Sequence, residues 1–261
     1  MKPAERIRTV EAVVISHKEF GEADRLVTLL SREAGKIRGM AKGVRKIGSR
    51  KAAYLEPFMH SKVVLARGKT FWILTQADGI QQFSAINASL EKTGMAAYVM
   101  ELAERFTVEE EPAPQLFRLI VETLDRINKT SDTFTPILYY ELHILDHAGF
   151  RPDLTRCVGC GAEIAAQDQY FSTAQGGAVC PRCGGLYQNA RKVSLDALRY
   201  LRHFQRSAYA ALAEVSVPET VRGEIAAIMN SYISAIIERR LNAPEFLRQI
   251  THIADGNNQV K

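Results

Sequence analysis

The four cysteines of this 261-residue chain fall in one stretch, as two pairs: Cys157-Val-Gly-Cys160 and Cys180-Pro-Arg-Cys183. Two residues between thiols let both sulfurs of a knuckle reach one tetrahedral ion. Two such knuckles, nineteen residues apart, form the four-thiolate pattern of zinc. Gly159, Gly161, Gly184 and Gly185 are expected to allow the tight turns whose amides point at the sulfurs. Four protein ligands leave no open position for water or substrate, so one Zn2+ per chain is expected in a structural role. It would fold a segment too poor in apolar residues to fold alone. A redox dithiol pair is the competing reading, and the paired spacing speaks against it.

A second chemistry is electrostatic. The net charge is +5, but residues 1–72 hold 16 Lys+Arg against 7 Asp+Glu, residues 73–156 hold 7 against 13, and residues 157–261 hold 11 against 9. A basic head beside an acidic middle is expected when one part faces phosphates. The candidate phosphate contacts are Arg25, Lys36, Arg38, Lys42, Arg45, Lys46, Arg50 and Lys51. Alternation along a strand puts Lys36, Arg38, Met40 and Lys42 on one face, expected to be wet, and Ile37, Gly39 and Ala41 on the other. The loop 43–51 adds four cations and two glycines, and is expected to be mobile enough to close over a nucleic-acid strand.

The elements that must position these residues follow from periodicity. Ile7–Ile15, Arg25–Leu30, Lys36–Lys42, Phe58–Ala66 and Thr70–Thr75 read as β-strands separated by Gly and charged clusters. Five short strands in about 75 residues suit a small closed barrel of the OB type. After Gly79 the apolar period becomes helical. Met95, Val99, Leu102 and Phe106 share one face, as do Leu116, Ile120, Leu124 and Ile127. Glu109-Glu110-Glu111-Pro112 is expected to end the first of these helices, and Pro114 to open the second. A third helix, 135–148, is apolar on most sides and expected to be buried. Further helices are expected over 194–207, 218–241 and 244–253, with a polar tail after them. The predicted class is α+β. An N-terminal five-stranded OB-type barrel (1–79) is followed by a helical domain (80–261) with a four-cysteine zinc ribbon inserted at about 152–190.

Other residues have types or spacing that could carry chemistry. Phe71 and Trp72 lie on opposite faces of the fifth strand. Core packing is the expectation for either alone, with Trp72 the candidate for base stacking. Arg118, Arg126, Arg199 and Arg202 are candidates for receiving an acidic peptide. His143 and His147 have metal spacing but lack the Glu of a metalloprotease helix, so packing or surface roles are expected. No phosphate loop, nucleophile elbow or declared triad is present, which argues against an enzyme and against a nucleotide cofactor. No apolar run approaches the ~18 residues needed to span a bilayer, and the first residues resemble no signal segment, so a cytoplasmic location is expected.

The order of motifs resembles one family, the RecO family of bacterial recombination and repair mediators. The resemblance is carried by Gly21-Glu-Ala-Asp-Arg-Leu-Val-Thr-Leu29, Gly35-Lys36, Ala41-Lys-Gly-Val-Arg-Lys46, Leu55-Glu-Pro-Phe58 and Tyr98–Leu102. It is carried most of all by Tyr140-Glu-Leu-His-Ile-Leu-Asp-His-Ala-Gly-Phe150-Arg-Pro-Asp-Leu154 running into the first cysteine pair. It covers about residues 9–250. The resemblance implies an OB-fold domain, a helical domain and, in many members, a zinc ribbon. It also implies binding of single- and double-stranded DNA and annealing of complementary strands. Further implied are cooperation with RecR in loading recombinase onto DNA coated by single-strand-binding protein, and binding of that protein's acidic C-terminal tail. Some members of the family lack the cysteines; this chain keeps all four.

Two other readings stay open at this point. One is a zinc-ribbon adaptor whose basic barrel serves RNA. The other is a metal-dependent nuclease using Glu22, Asp24 and Glu33, although Glu22 and Asp24 are better suited to shaping the first hairpin and pairing with Arg25.

Overall fold

The computed structural model describes residues 6–212 and 214–237. The expected helix over 244–253 and the tail beyond it lie outside the described residues. Five strands form a closed barrel in the order β1-β2-β3-β5-β4: β1 (Ile7–Phe20), β2 (Asp24–Ser31), β3 (Gly35–Ala41), β4 (His60–Arg67) and β5 (Trp72–Gln81). The fold class is that read from the sequence, α+β with an OB-type barrel.

Closure depends on the length of β1. Residues Ile7–Val13 pair antiparallel with β4 and residues Ala12–Phe20 with β2, with a bulge between Val14 and Ser16 where the strand bends from one partner to the other. Strand periodicity then fills the barrel. Val10, Ala12, Val14, Val27, Leu29, Ile37, Ala41, Val63, Leu65, Leu74 and Ala77 form one buried cluster, with Trp72 packed partly against it. The opposite parity is also buried at Val13 and Leu30. Helices cover that side: α2 (Leu90–Phe106) contacts β1, and α3 (Pro114–Lys129) contacts β2.

α2 is capped by Ser89, whose hydroxyl accepts the Lys92 N–H, and α3 opens on Pro114. α2 ends earlier than the acidic run predicted. Its last residue is Phe106, and the Thr107 hydroxyl donates to the Ala103 carbonyl at 2.6 Å. Glu109–Glu111 are thereby left for another role. By internal packing the chain forms two compact units that divide between Ser131 and Asp132, so the short helix α1 (Ser84–Asn87), α2 and α3 belong with the barrel.

The second unit holds α4 (Phe134–His147), α6 (Leu195–Arg206) and α7 (Glu219–Ile237). α4 buries Leu138, Tyr140, Leu142, Ile144 and Leu145. Asp132, just before it, accepts two hydrogen bonds from the Arg222 guanidinium of α7 at 3.0 and 2.8 Å. Between α4 and α6 the region expected to hold the ribbon contains a three-stranded sheet, β7-β6-β8: β6 (Gln169–Ser172), β7 (Gly177–Val179) and β8 (Arg191–Val193). The short helix α5 (Pro181–Gly184) lies between the last two. Strands of three or four residues leave no alternation long enough to read. No helix among the described residues is long and apolar enough to cross a membrane.

Within the barrel, Glu56 ties β1 to β2 by accepting hydrogen bonds from His17 at 3.0 Å and Arg25 at 2.7 Å. Partial burial raises its carboxyl pKa, but these two donors outweigh that and hold it below the ordinary carboxylate range. A depressed folded value stabilises the fold above the unfolded pKa, and that stability is lost as pH falls through the folded value. The Glu56→Gln variant should therefore trail wild type at neutral pH in denaturant midpoint, with the gap closing as pH falls below about 4. A gap independent of pH counts against this ion pair. In the core, Leu65→Ala should cost about 2–5 kcal/mol in denaturant unfolding.

Candidate metal centre and nucleic-acid interface

The four cysteine sulfurs lie within 4.8 Å of one another. Backbone turns bring them together. The Cys157 N–H donates to the Ala162 carbonyl and the Gly161 N–H to the Cys157 carbonyl, closing the first knuckle. The Cys183 and Gly184 N–H groups both reach the Cys180 carbonyl, closing the second. Of the four glycines expected at these turns, Gly161 takes φ +73°, which a side chain disfavours. Gly184 faces the Tyr170 ring so closely that a Cβ would overlap it. The knuckles are joined across the sheet, where Val158 N–H donates to the Ala178 carbonyl on β7. Asp153 braces the approach. Its Oδ1 accepts from the N–H groups of Thr155 and Arg156, and burial, which raises its pKa, is outweighed by these donors, which lower it.

The donor set fits a metal ion. Cys160 Sγ and Cys180 Sγ stand 3.8 Å apart. That is the edge of a tetrahedron whose centre lies about 2.3 Å from each sulfur, the zinc–thiolate distance. The protonation balance points the same way. Burial raises the Cys157 thiol, but the backbone N–H groups of Cys180, Cys160 and Gly159 outweigh it and bring it down to about 6. Contact with Cys160 and Cys180 pushes Cys183 up to about 12. Four thiols this close cannot all ionise alone, and a bound cation removes the conflict. These four cysteines could hold a metal ion, and among the described residues they are the one group of three or more His, Cys, Asp or Glu so arranged.

The expected basic face is less open than its sequence implied. β3 points Lys36, Arg38 and Met40 away from the barrel core, as alternation requires, but that face is dry at two of these three positions. Lys36 is buried and donates its ammonium to the Glu104 carbonyl at the end of α2, 3.0 Å away; Met40 is buried too. Arg38 is exposed, with its Nε on Glu109 at 3.0 Å. Arg25 is held by Glu56. Lys51 donates to the Leu74 carbonyl at 2.9 Å, and burial lowers its pKa against the opposing pull of Asp24.

The 43–51 loop, expected to be mobile, is a run of hydrogen-bonded turns. Lys46 N–H donates to Gly43 O, Ser49 N–H to Lys46 O, and Arg45 N–H to Ala23 O on the β1–β2 hairpin. The Asp24 carboxylate accepts the Gly43 N–H at 2.7 Å, and Arg45 pairs with Glu19 at 3.3 Å. Lys42, Lys46 and Arg50 stand exposed on this scaffold, and no ion pair among the described residues engages them.

Trp72 is half-buried, with the Arg8 guanidinium 4.4 Å and the Arg67 guanidinium 5.7 Å from its ring, and its indole N–H donates to Glu110 at 2.9 Å. Sequence reasoning missed Arg8, Arg67 and Glu110. The available signal was parity, because Arg8 shares the inward register of Val10 and Ala12.

The acidic-peptide candidates divide between the units. Arg118 and Arg126 both reach Glu122 on α3 at 2.7 Å. On α6, Arg199 is exposed beside Asp196, whereas Arg202 donates to the Leu154 carbonyl at 2.7 Å; burial and then Arg206 lower its pKa. Of the three carboxylates considered for a nuclease, Asp24 and Glu33 accept backbone N–H groups of Gly43 and Glu11, and Glu22 is exposed on the hairpin. His143 stacks on Tyr139 and donates to its carbonyl.

Comparison with known proteins agrees with both halves of this architecture. Residues 6–83 match the model of the recombination protein O N terminal domain, and residues 87–245 match that of the recombination protein O C terminal domain. A DNA repair protein RecO of a Roseiflexus species is 35% identical over 94% of this chain and 87% of its own length. The protein of that name from Myxococcus xanthus is 36% identical over 92% and 96%, and that from Desulforamulus reducens 31% identical over 97% and 99%. With both domain models matched in order over most of its length, and relatives 31–36% identical over nearly all of it, this chain belongs to the RecO family.

Proposed function

We propose that this chain is a DNA-repair and recombination mediator rather than an enzyme. It binds single- and double-stranded DNA without sequence specificity and anneals complementary strands. With RecR it helps load recombinase onto DNA coated by single-strand-binding protein. It acts in the cytoplasm at the nucleoid, without a membrane or a nucleotide cofactor. Residues 1–79 make the nucleic-acid contacts, and the helices that follow, of which α1–α3 pack with the barrel, lead into the unit that carries the ribbon at about 152–190.

The observation that carries this reading is the trio Lys42, Lys46 and Arg50, exposed on a turn scaffold anchored to the β1–β2 hairpin. Annealing needs no covalent chemistry. It needs cations that offset repulsion between two phosphate backbones, and a surface that holds bases without reading them. Arg38 and Arg45 join the trio once nucleic acid competes with Glu109 and Glu19. Lys36, Lys51 and Arg25 act from beneath by fixing the strands. Trp72 stacks on a base where Arg8 gives way. For the acidic tail of single-strand-binding protein, Arg118 on α3 of the first unit and Arg199 on α6 of the second are separate exposed candidates, with Arg126 and Arg202 supporting the helices that carry them.

The cysteines hold one Zn2+. Its four thiolate ligands close the coordination shell, so it supplies folding energy and no Lewis-acid step.

Replacing Lys42, Lys46 and Arg50 together by Ala should weaken oligonucleotide binding about tenfold or more at low salt. It should also flatten the log–log salt dependence by about two, at ~0.7 per lost single-strand phosphate contact. Anisotropy titrations over a salt series, with DNA and RNA in competition, measure both. Unchanged affinity removes this surface, and RNA preference favours an RNA-binding adaptor. Replacing Lys36, in contrast, should lower stability as well, because its ammonium satisfies a helix-end carbonyl. Elemental analysis should find one zinc per chain. Stripping it with a strong chelator, or making Cys160→Ser, should unfold the β6–β8 ribbon while oligonucleotide affinity stays within about twofold. A metal-free chain with an intact ribbon would sink the zinc assignment.

A further inference from the structure

After α2 the chain crosses the barrel beside the seam where β3 meets β5. β3 and β5 pair at only two positions, Gly39 with Trp72 and Met40 with Ile73. Beyond them the edge of β3 is taken by the acidic strap 109–111. Glu109 bridges Lys36 in parallel, and the Glu110 N–H donates to the Lys36 carbonyl at 2.9 Å. Both carboxylates then reach into a cleft of about 220 Å³ that Arg38, Arg67, Lys69, Trp72, Glu109 and Glu110 help to line. Glu109 sits on the Arg38 guanidinium at 3.0 Å, and Glu110 accepts the Trp72 indole N–H at 2.9 Å.

Two features mark this as a built contact. Glu110 holds φ +58°, a left-handed conformation that residues other than Gly, Asn and Asp seldom adopt. Gly35 lies so close under the strap that a Cβ would overlap the Glu111 carbonyl. The cations around the indole also exceed their acceptors. Arg8 lies 4.4 Å over the ring, and its Nε and Nη2 are buried with no hydrogen-bond partner. An aromatic ring and guanidinium groups are what a single-stranded nucleic acid uses, one for the base and the others for phosphate. In the free chain, carboxylates stand where phosphates would.

We propose that this cleft is a subsite for single-stranded nucleic acid which the free chain fills with its own Glu109 and Glu110, so that the 109–111 strap competes with the nucleic acid for Arg38 and for the edge of Trp72. The inference rests on the nucleic-acid-binding reading above and extends it to a new contact. The strap works as an internal polyanion. It shields the cleft from weak anions and yields to a ligand that brings several phosphates at once. Exchange of carboxylate for phosphate needs no change in the barrel.

Trp72 is the only tryptophan of the chain, so its emission reports on the cleft alone. Binding of unlabelled oligothymidylate should change Trp72 emission in step with the anisotropy of a labelled strand. Glu109→Gln with Glu110→Gln keeps the shape of the strap and removes its charge. This variant should bind about three- to tenfold more tightly at low salt, the range expected for releasing one exposed ion pair and weakening one hydrogen bond to a carboxylate. Glu122→Gln with Asp125→Asn removes the same charge from α3 and should change affinity by less than about twofold. DNA binding with silent Trp72 emission overturns the strap proposal alone, as does a strap variant that gains no more than the α3 control. Failure of wild type and strap variant to bind at all overturns both readings.

Discussion

Several main-chain carbonyls that strand and helix pairing leave open take their partners from lysines and arginines, and the positioning of the basic residues depends on that. A carbonyl left unpaired away from water costs about 1–3 kcal/mol, whereas an exposed ion pair returns about 0–1 kcal/mol. Where strand pairing stops short, or a helix ends inside the fold, a lysine or arginine that reaches such a carbonyl satisfies it, against the cost of partly desolvating its own charge. Lys36 closes the end of α2 through the Glu104 carbonyl, Lys51 reaches the Leu74 carbonyl on β5, and Arg202 holds the Leu154 carbonyl before the first knuckle. Each looks like a surface cation in the sequence, and each is part of the framework.

The same demand for partners shapes the basic side of the first unit. Its positive excess is real, but it is sorted. Some cations are held by carbonyls, some by carboxylates at Glu19, Glu56 and Glu109, and a small set at Lys42, Lys46 and Arg50 is presented to solvent. The loop that carries them is tied to the β1–β2 hairpin through Asp24 and Ala23, so the charges are held in place before any ligand arrives. Such preorganisation limits the ordering cost of binding. The acidic segment that follows α2 belongs to the same surface, because it completes the edge of β3 that β5 leaves open.

The second unit solves a different problem. Its ribbon has three strands of three or four residues, too little for a core of its own. The four sulfurs cluster beside this sheet, and the Val158 N–H bond to the Ala178 carbonyl ties the first knuckle to β7, so an ion held by the cysteines would be coupled to sheet formation.

Much was legible in the sequence. Strand and helix periods located the barrel and the helices, and two CxxC pairs identified the thiolate cluster, because these signals are local and repeat within a few residues. Alternation correctly separated the two faces of β3, with Ile37 and Ala41 inside and Lys36, Arg38 and Met40 outside. What it could not say is whether the outer face meets water. That was decided by the end of α2 and the 109–111 strap, which cover Lys36 and engage Arg38 from about seventy residues away in the chain. Trp72 shows the same division. Its strand position was readable, and Arg67 is its partner across the local β4–β5 hairpin, but Arg8 and Glu110 come from distant segments that only tertiary packing brings to the ring. Local periodicity determines which residues can face one another. Which of them do is settled by long-range packing, since hydrogen-bond and charge partners are chosen by proximity in space.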